Sequence, residues 1–129
     1  MTFQQPMRIL WRGGELFTYD SPMRAYLYLS RLDLNLITPD TGCYRGFFCD
    51  MEIIDGRLYV VRFSAQCLNN GPLDLSILFP GSDGKVFAHW FSGAIIAGAM
   101  EHKEPGPLSF MLLFRRNTTF RFNRGILLP

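Results

Sequence analysis

The stretch GKVFAHWFSG at 84–93 sets His89 among bulky apolar residues, just after a glycine-rich turn. Histidine is the commonest general base and a frequent metal ligand, because its proton exchanges near neutral pH. Either task needs partners. A zinc site draws several ligands, often in close pairs such as C-x2-C, whereas Cys43 and Cys49 are separated by five residues and Cys67 and His89 are scattered. A Cys–His nucleophilic pair is assembled in space rather than in sequence, and no local signature marks Cys43, Cys49 or Cys67 for it. No metal or cofactor is expected on these grounds. The cysteines read as small buried thiols, His89 as a packed strand residue with a satisfied ring, and His102, in EHKEPGP, as a solvated loop residue.

The run GSDGK at 81–85 resembles part of a phosphate-cradling loop, but Val86 stands where a metal-binding hydroxyl is needed and a strand follows where a helix should start. A surface turn accounts for it. Asp50 and Glu52, two apart, share a strand face, which could hold a metal or an acid and base, or could simply be the wet side of a sheet. Arg45, beside Gly46 in CYRGFF, could clamp a carboxylate or phosphate next to aromatic rings, although a structural ion pair is the favoured reading. An enzyme or small-molecule reading places Arg45, Asp50, Glu52 and His89 around one pocket.

The C-terminal segment concentrates charge: Arg115, Arg116, Arg121 and Arg124, with Phe120 and Phe122 interleaved. Arginines on phosphates and rings under bases make a single-strand nucleic-acid surface. Against that reading, Phe120 and Phe122 share one strand face while Arg121 takes the other, so the rings serve equally as core. Basic residues on a terminal strand also protect a sheet edge from aggregation.

These residues have to be positioned by short strands. MRILWR and ELFTY flank Gly13 and Gly14, a first hairpin. SPMRAYLYLSRLDL reads as a helix capped by Ser21, with Pro22 in its first turn, and with Met23, Tyr26, Leu27 and Leu34 on the face that packs on the sheet. GFFCDMEII and RLYVVRFSA flank Asp55-Gly56, the dipeptide favoured in two-residue type I′ turns. LDLSILF alternates as a strand with Leu73, Leu75 and Ile77 on one side, and KVFAHWFSGAII, apolar on both faces, reads as a central strand covered on both sides. LSFMLLF, TFRF and GILLP follow. The expected fold class is α+β: a mostly antiparallel sheet of about seven or eight short strands, a curved sheet or small sandwich, with one helix from the N-terminal half packed on it.

With 129 residues, the chain has room for one core, and a single domain over 1–129 is expected. The composition, 48% hydrophobic with 12 Phe, is rich enough to bury that core and excludes a disordered chain. A net charge of +2 excludes a global field that would draw nucleic acid or a membrane surface. The opening residues lack the pattern of a signal peptide, no apolar run reaches the ~20 residues of a membrane helix, and the odd cysteine count fits a reducing compartment. A cytoplasmic location is therefore expected.

CYRGFFCDMEIIDGRLYVV and LFPGSDGKVFAHWFSG together carry an aromatic residue before R-G, an isoleucine strand running into D-G-x-L-Y, and V-F-A-x-W-x-S/T-G. In this pattern the sequence resembles a group of small, uncharacterised bacterial proteins. The likeness falls on Tyr44, Arg45, Gly46, Asp55, Gly56, Leu58, Tyr59, Val86, Phe87, Ala88, Trp90 and Gly93, and does not include His89. The group brings no activity with it. By analogy with other small bacterial domains that lack a catalytic constellation, the expectation is a protein-binding module of the immunity type, which occludes the active site of a cognate secreted toxin. Candidate partner-binding residues are Trp11, Arg12, Tyr19, Tyr26, Tyr28, Arg115, Arg116, Arg121 and Arg124, because aromatic and arginine side chains dominate binding hot spots.

Overall fold

In the computed structural model, the structure describes residues 6–30, 47–67, 71–99 and 118–129. Strands β1 (Met7–Trp11) and β2 (Gly14–Thr18) form an antiparallel hairpin. Its two turn residues are Arg12 and Gly13, at φ 53° and 74°, one position earlier than the expected Gly13-Gly14. The register decides this: Trp11 pairs with Gly14, so the turn lies between them, and both turn residues must be left-handed to follow the twist of the strands. Helix α1 (Pro22–Leu29) begins as its sequence predicts. The Ser21 hydroxyl accepts a 3.1 Å hydrogen bond from the Met23 amide, Pro22 opens the first turn, and Met23 and Leu27 are fully buried. Leu34, expected on the same face, lies outside the described residues.

Strands β3 (Phe47–Ile54) and β4 (Arg57–Cys67) close on Asp55-Gly56, at φ 52° and 73°, as the dipeptide predicts. Phe47, Cys49, Met51 and Ile53 point inward, and Asp50 and Glu52 point outward. A bulge after Asp50 lets the long β4 curl. Strand β5 (Gly71–Asp74) is shorter than expected. The Asp74 carboxylate accepts a 2.9 Å bond from the Ile77 amide and starts a single helical turn, α2 (Leu75–Leu78), so LDLSILF is not one strand. A carboxylate two or three residues ahead of free amides competes with the sheet ladder, and here it wins. Leu73 and Leu75 stay buried, but Ile77 turns out to solvent.

The expected central strand is also broken. Strand β6 (Val86–Phe87) ends at once, residues 88–92 fold into tight turns, and β7 (Gly93–Gly98) starts afresh. The Ala88 amide bonds the Leu58 carbonyl of β4, after which the His89 and Phe91 amides bond back to Phe87 and Ala88, and these two local bonds replace a ladder. Strands β8 (Thr118–Asn123) and β9 (Ile126–Leu127) form a third hairpin around Arg124-Gly125, at φ 50° and 80°.

The sheet closes on itself. Seven strands form a ring in the order β1, β2, β7, β8, β9, β4, β3, with β3 pairing back onto β1; β5 and β6 add to the outer edge of β4. Neither a curved open sheet nor a sandwich describes this ring. All its pairings are antiparallel except β1–β3. Closure depends on the shortest element, since β9 meets β4 through one ladder pair, Arg57 with Ile126, reinforced by bonds from Leu58 to Gly125 and from Leu127 to Gly56. The barrel interior is filled from every long strand, by Met7, Ile9, Met51, Leu58, Val60, Ile95, Phe120 and others.

Candidate functional site

Because β1 and β3 run parallel and end together, the tips Arg12-Gly13 and Asp55-Gly56 sit at the same end of the barrel. The bonds from Leu58 to Gly125 and from Leu127 to Gly56 bring the third tip, Arg124-Gly125, to that end as well. Between the first two tips lies an open cleft of about 520 Å³, lined by Trp11, Arg12, Glu52, Ile54, Asp55 and Leu127 among others. The Arg12 guanidinium lies 4.5 Å from the centre of the Trp11 ring, whose edge packs on Phe120.

The outer face of the neighbouring strands has a different character. Its cross-strand rows are set by register: Ala94 beside Arg121, Ile96 beside Thr119, and Asn123 beside Ile126 beside Arg57, with the Leu128 amide bonded to the Arg121 carbonyl. Ile96, Ile126 and Leu128 are 40%, 41% and 44% exposed, and Arg57, Arg121 and Arg124 are exposed around them. Among the described residues no carboxylate forms an ion pair with any of these three arginines. Elsewhere among the described residues, Arg8 bonds Glu15 at 3.2 Å and Asp50 at 3.0 Å and Arg62 lies 3.8 Å from Asp50, while Arg12 at the β1–β2 tip and Arg24 on α1 form no ion pair. The hydrogen bond to Glu15, then the charge of Asp50, hold the Arg8 guanidinium above its already high ordinary pKa.

His89 is not a packed strand residue. It is exposed in the turn after β6, with its ring edge-on to Trp90 at 5.4 Å and near Phe87 at 6.4 Å. The chain left the sheet at Ala88, and this carried the histidine out of the core. Its ring makes no hydrogen bond to any described residue and is open to solvent. Asp50 is engaged by arginines, Glu52 lines the cleft and His89 contacts rings, so these three have separate neighbours. Arg45 lies outside the described residues. Among the described residues no three His, Cys, Asp or Glu come together in a way that could hold a metal ion, and no helix is long and apolar enough to cross a membrane.

The partner-binding candidates divide. Tyr26 is half-buried, stacked among Phe79 at 4.8 Å and Trp90 at 5.1 Å, where it holds α1 to the barrel. Trp11 and Tyr19 are half-buried, whereas Arg12 and Tyr28 are exposed. Arg121 and Arg124 point outward, and Arg115 and Arg116 lie outside the described residues. Phe120 and Phe122 are buried, so neither ring is available to a base. Sequence reasoning missed Arg57, Ile96, Ile126 and Leu128. Only the register of β9 against β4 and β8 brings them together, and no local pattern encodes that register.

No protein-family model, curated protein or solved structure matches the chain.

Proposed function

We propose that the chain is a protein-binding module of the immunity type, neutralising a cognate toxin by covering its active site. The observation that supports this reading is the outer face of β7, β8 and β9, where Ile96, Ile126 and Leu128 lie exposed among arginines that form no ion pair with a described residue. Exposed aliphatic side chains interleaved with arginine are what a protein interface desolvates with a gain in affinity. A closed barrel supplies the second requirement, because a surface held by a continuous hydrogen-bonded ring loses little entropy when a partner docks.

The test is co-purification with the tagged chain from its native cells, in parallel with the variant Ile126→Ser/Leu128→Ser. The expected result is one stoichiometric protein held by the native chain and lost from the folded variant, whose toxic activity the chain abolishes at equimolar ratio. Retention by the variant, or no protein at all, overturns the proposal.

A second reading, a small-molecule-binding protein, is supported by the cleft, where Arg12 and Glu52 both line the walls without forming an ion pair with each other. Opposite charges held apart across a cleft suit a dipolar ligand such as an amino acid. A rise in melting temperature with millimolar amino acids, abolished by Glu52→Gln, would favour this reading; no rise with any of them would remove it.

A further inference from the structure

We infer that the outer face of β7, β8 and β9 docks a protein surface in which carboxylates alternate with apolar side chains; the inference rests on the protein-binding reading above and names the chemistry of the partner. Residues 84–99 and 118–129 contain no Asp or Glu, yet contribute Lys85, Arg121 and Arg124; the Asp20 carboxylate reaches the margin of the face, where it accepts a 2.9 Å bond from the Ile96 amide and forms no ion pair with an arginine. Arg57 of β4 joins them through its pairing with Ile126. The nearest acidic residue in sequence, Asp55, sits in the turn before Arg57 and forms no ion pair with it.

The contrast within one molecule carries the argument. On the outer faces of β1, β3 and β4, Arg8 and Arg62 lie against Glu15 and Asp50. On the β7–β9 side Arg57, Arg121 and Arg124 form no ion pair with a described carboxylate and stand beside exposed aliphatic side chains. Burying those aliphatic side chains would strip water from the guanidinium groups between them, and this is favourable only if the incoming surface supplies carboxylates.

The same face is poorly made for nucleic acid. Base stacking needs an open ring, and here Phe120 and Phe122 are buried, Phe91 packs on Phe122 at 5.9 Å, and the Phe87 ring lies under the Arg57 guanidinium at 5.7 Å. What remains outward is aliphatic surface and positive charge.

The test titrates the isotope-labelled chain with an acetylated and amidated octapeptide of alternating Glu and Leu, followed by amide chemical shifts. Peptides of alternating Lys and Leu, and a ten-residue oligo-dT, serve as comparisons. The expected shifts fall on β7, β8, β9 and Arg57, shrink as salt is raised, and weaken by roughly tenfold in Arg121→Glu/Arg124→Glu. Ile126→Ser should lose the shifts at every salt concentration, which separates the apolar contribution from the charged one. Absence of shifts on this face, or an equal response to the Lys-Leu peptide, overturns the inference, and larger oligo-dT shifts on the same face assign it to nucleic acid instead. If co-purification yields a partner whose binding is indifferent to salt and to the double arginine variant, the carboxylate chemistry fails while the protein-binding reading stands. Peptide shifts without any cellular partner would mean the reverse.

Discussion

The indole Nε1 of Trp90 donates a 2.7 Å hydrogen bond to the carbonyl of Pro22, joining the turn after β6 to the first residue of α1. This one bond connects two segments that the sequence separates by 68 positions. Around it, Tyr26, Phe79 and Trp90 pack ring on ring, with Phe79 and Trp90 stacked 5.5 Å apart. Trp90→Phe keeps a ring and removes the donor, leaving a carbonyl without its bond. Urea unfolding should show a loss of about 1–2 kcal/mol, with the slope unchanged. A Trp90→Ala variant, which also opens a cavity, should lose about 3–5 kcal/mol.

Glycine is required for different reasons at two of the hairpin tips. At Gly125 a Cβ would lie 2.6 Å from the Ala88 carbonyl oxygen and 2.8 Å from the Phe87 ring, whereas at Gly13 it would meet nothing within 4 Å. Gly125→Ala must therefore displace backbone as well as accept a left-handed φ of 80°, while Gly13→Ala bears only the conformational cost. Thermal unfolding should rank them clearly, with Gly13→Ala losing about 1 kcal/mol and Gly125→Ala several times as much. Equal losses would mean that β9 does not close on the turn after β6 as described.

Arg12 and Arg124 occupy left-handed turn positions that asparagine fills at lower energy. Arg124→Asn should raise stability by about 0.5–1 kcal/mol, since its backbone bond to the Ser92 hydroxyl is kept, and should also weaken partner binding. Chemical denaturation and the binding assay together read the two effects. A gain in stability with unchanged binding would remove Arg124 from the interface.

The Asp74 carboxyl is held below its ordinary pKa of 3.8, first by the hydrogen bond from the Ser76 hydroxyl at 2.6 Å and then by the Ile77 amide. A carboxyl with a depressed folded-state pKa lends stability above its unfolded pKa and loses it as pH falls through the folded one. The melting temperature should thus fall as pH drops below about 3.8, and Asp74→Asn should shrink that part of the fall. An identical pH profile in the variant would dismiss the cap as a contributor.

Local signals in the chain were legible wherever a few neighbouring residues determine the outcome. Ser21-Pro22 started a helix, Asp55-Gly56 turned a hairpin, and alternation through Cys49, Asp50, Met51 and Glu52 assigned inner and outer faces. Local chemistry also misled where two signals competed: Asp74 capped a helical turn inside an alternating run, and the apolar run around His89 broke because the His89 and Phe91 amides bond back to Phe87 and Ala88 rather than to a sheet neighbour. Closure of the barrel and the composition of its outer face were not legible. Both depend on β9, two residues long, finding Arg57 across most of the chain, and a pairing at that distance leaves no trace in spacing or periodicity.

That late pairing also bears on how the molecule is made. Arg57 and Ile126 lie about 70 residues apart, so the side of β4 that receives β9 is synthesised long before its partner. Until the final hairpin emerges, a growing chain presents that stretch of strand edge unpaired, the kind of surface on which nascent chains misassociate and chaperones act. Translation speed between the codons for β4 and those for β9 therefore bears directly on yield, and slowing it should increase the aggregated fraction without altering the product that folds.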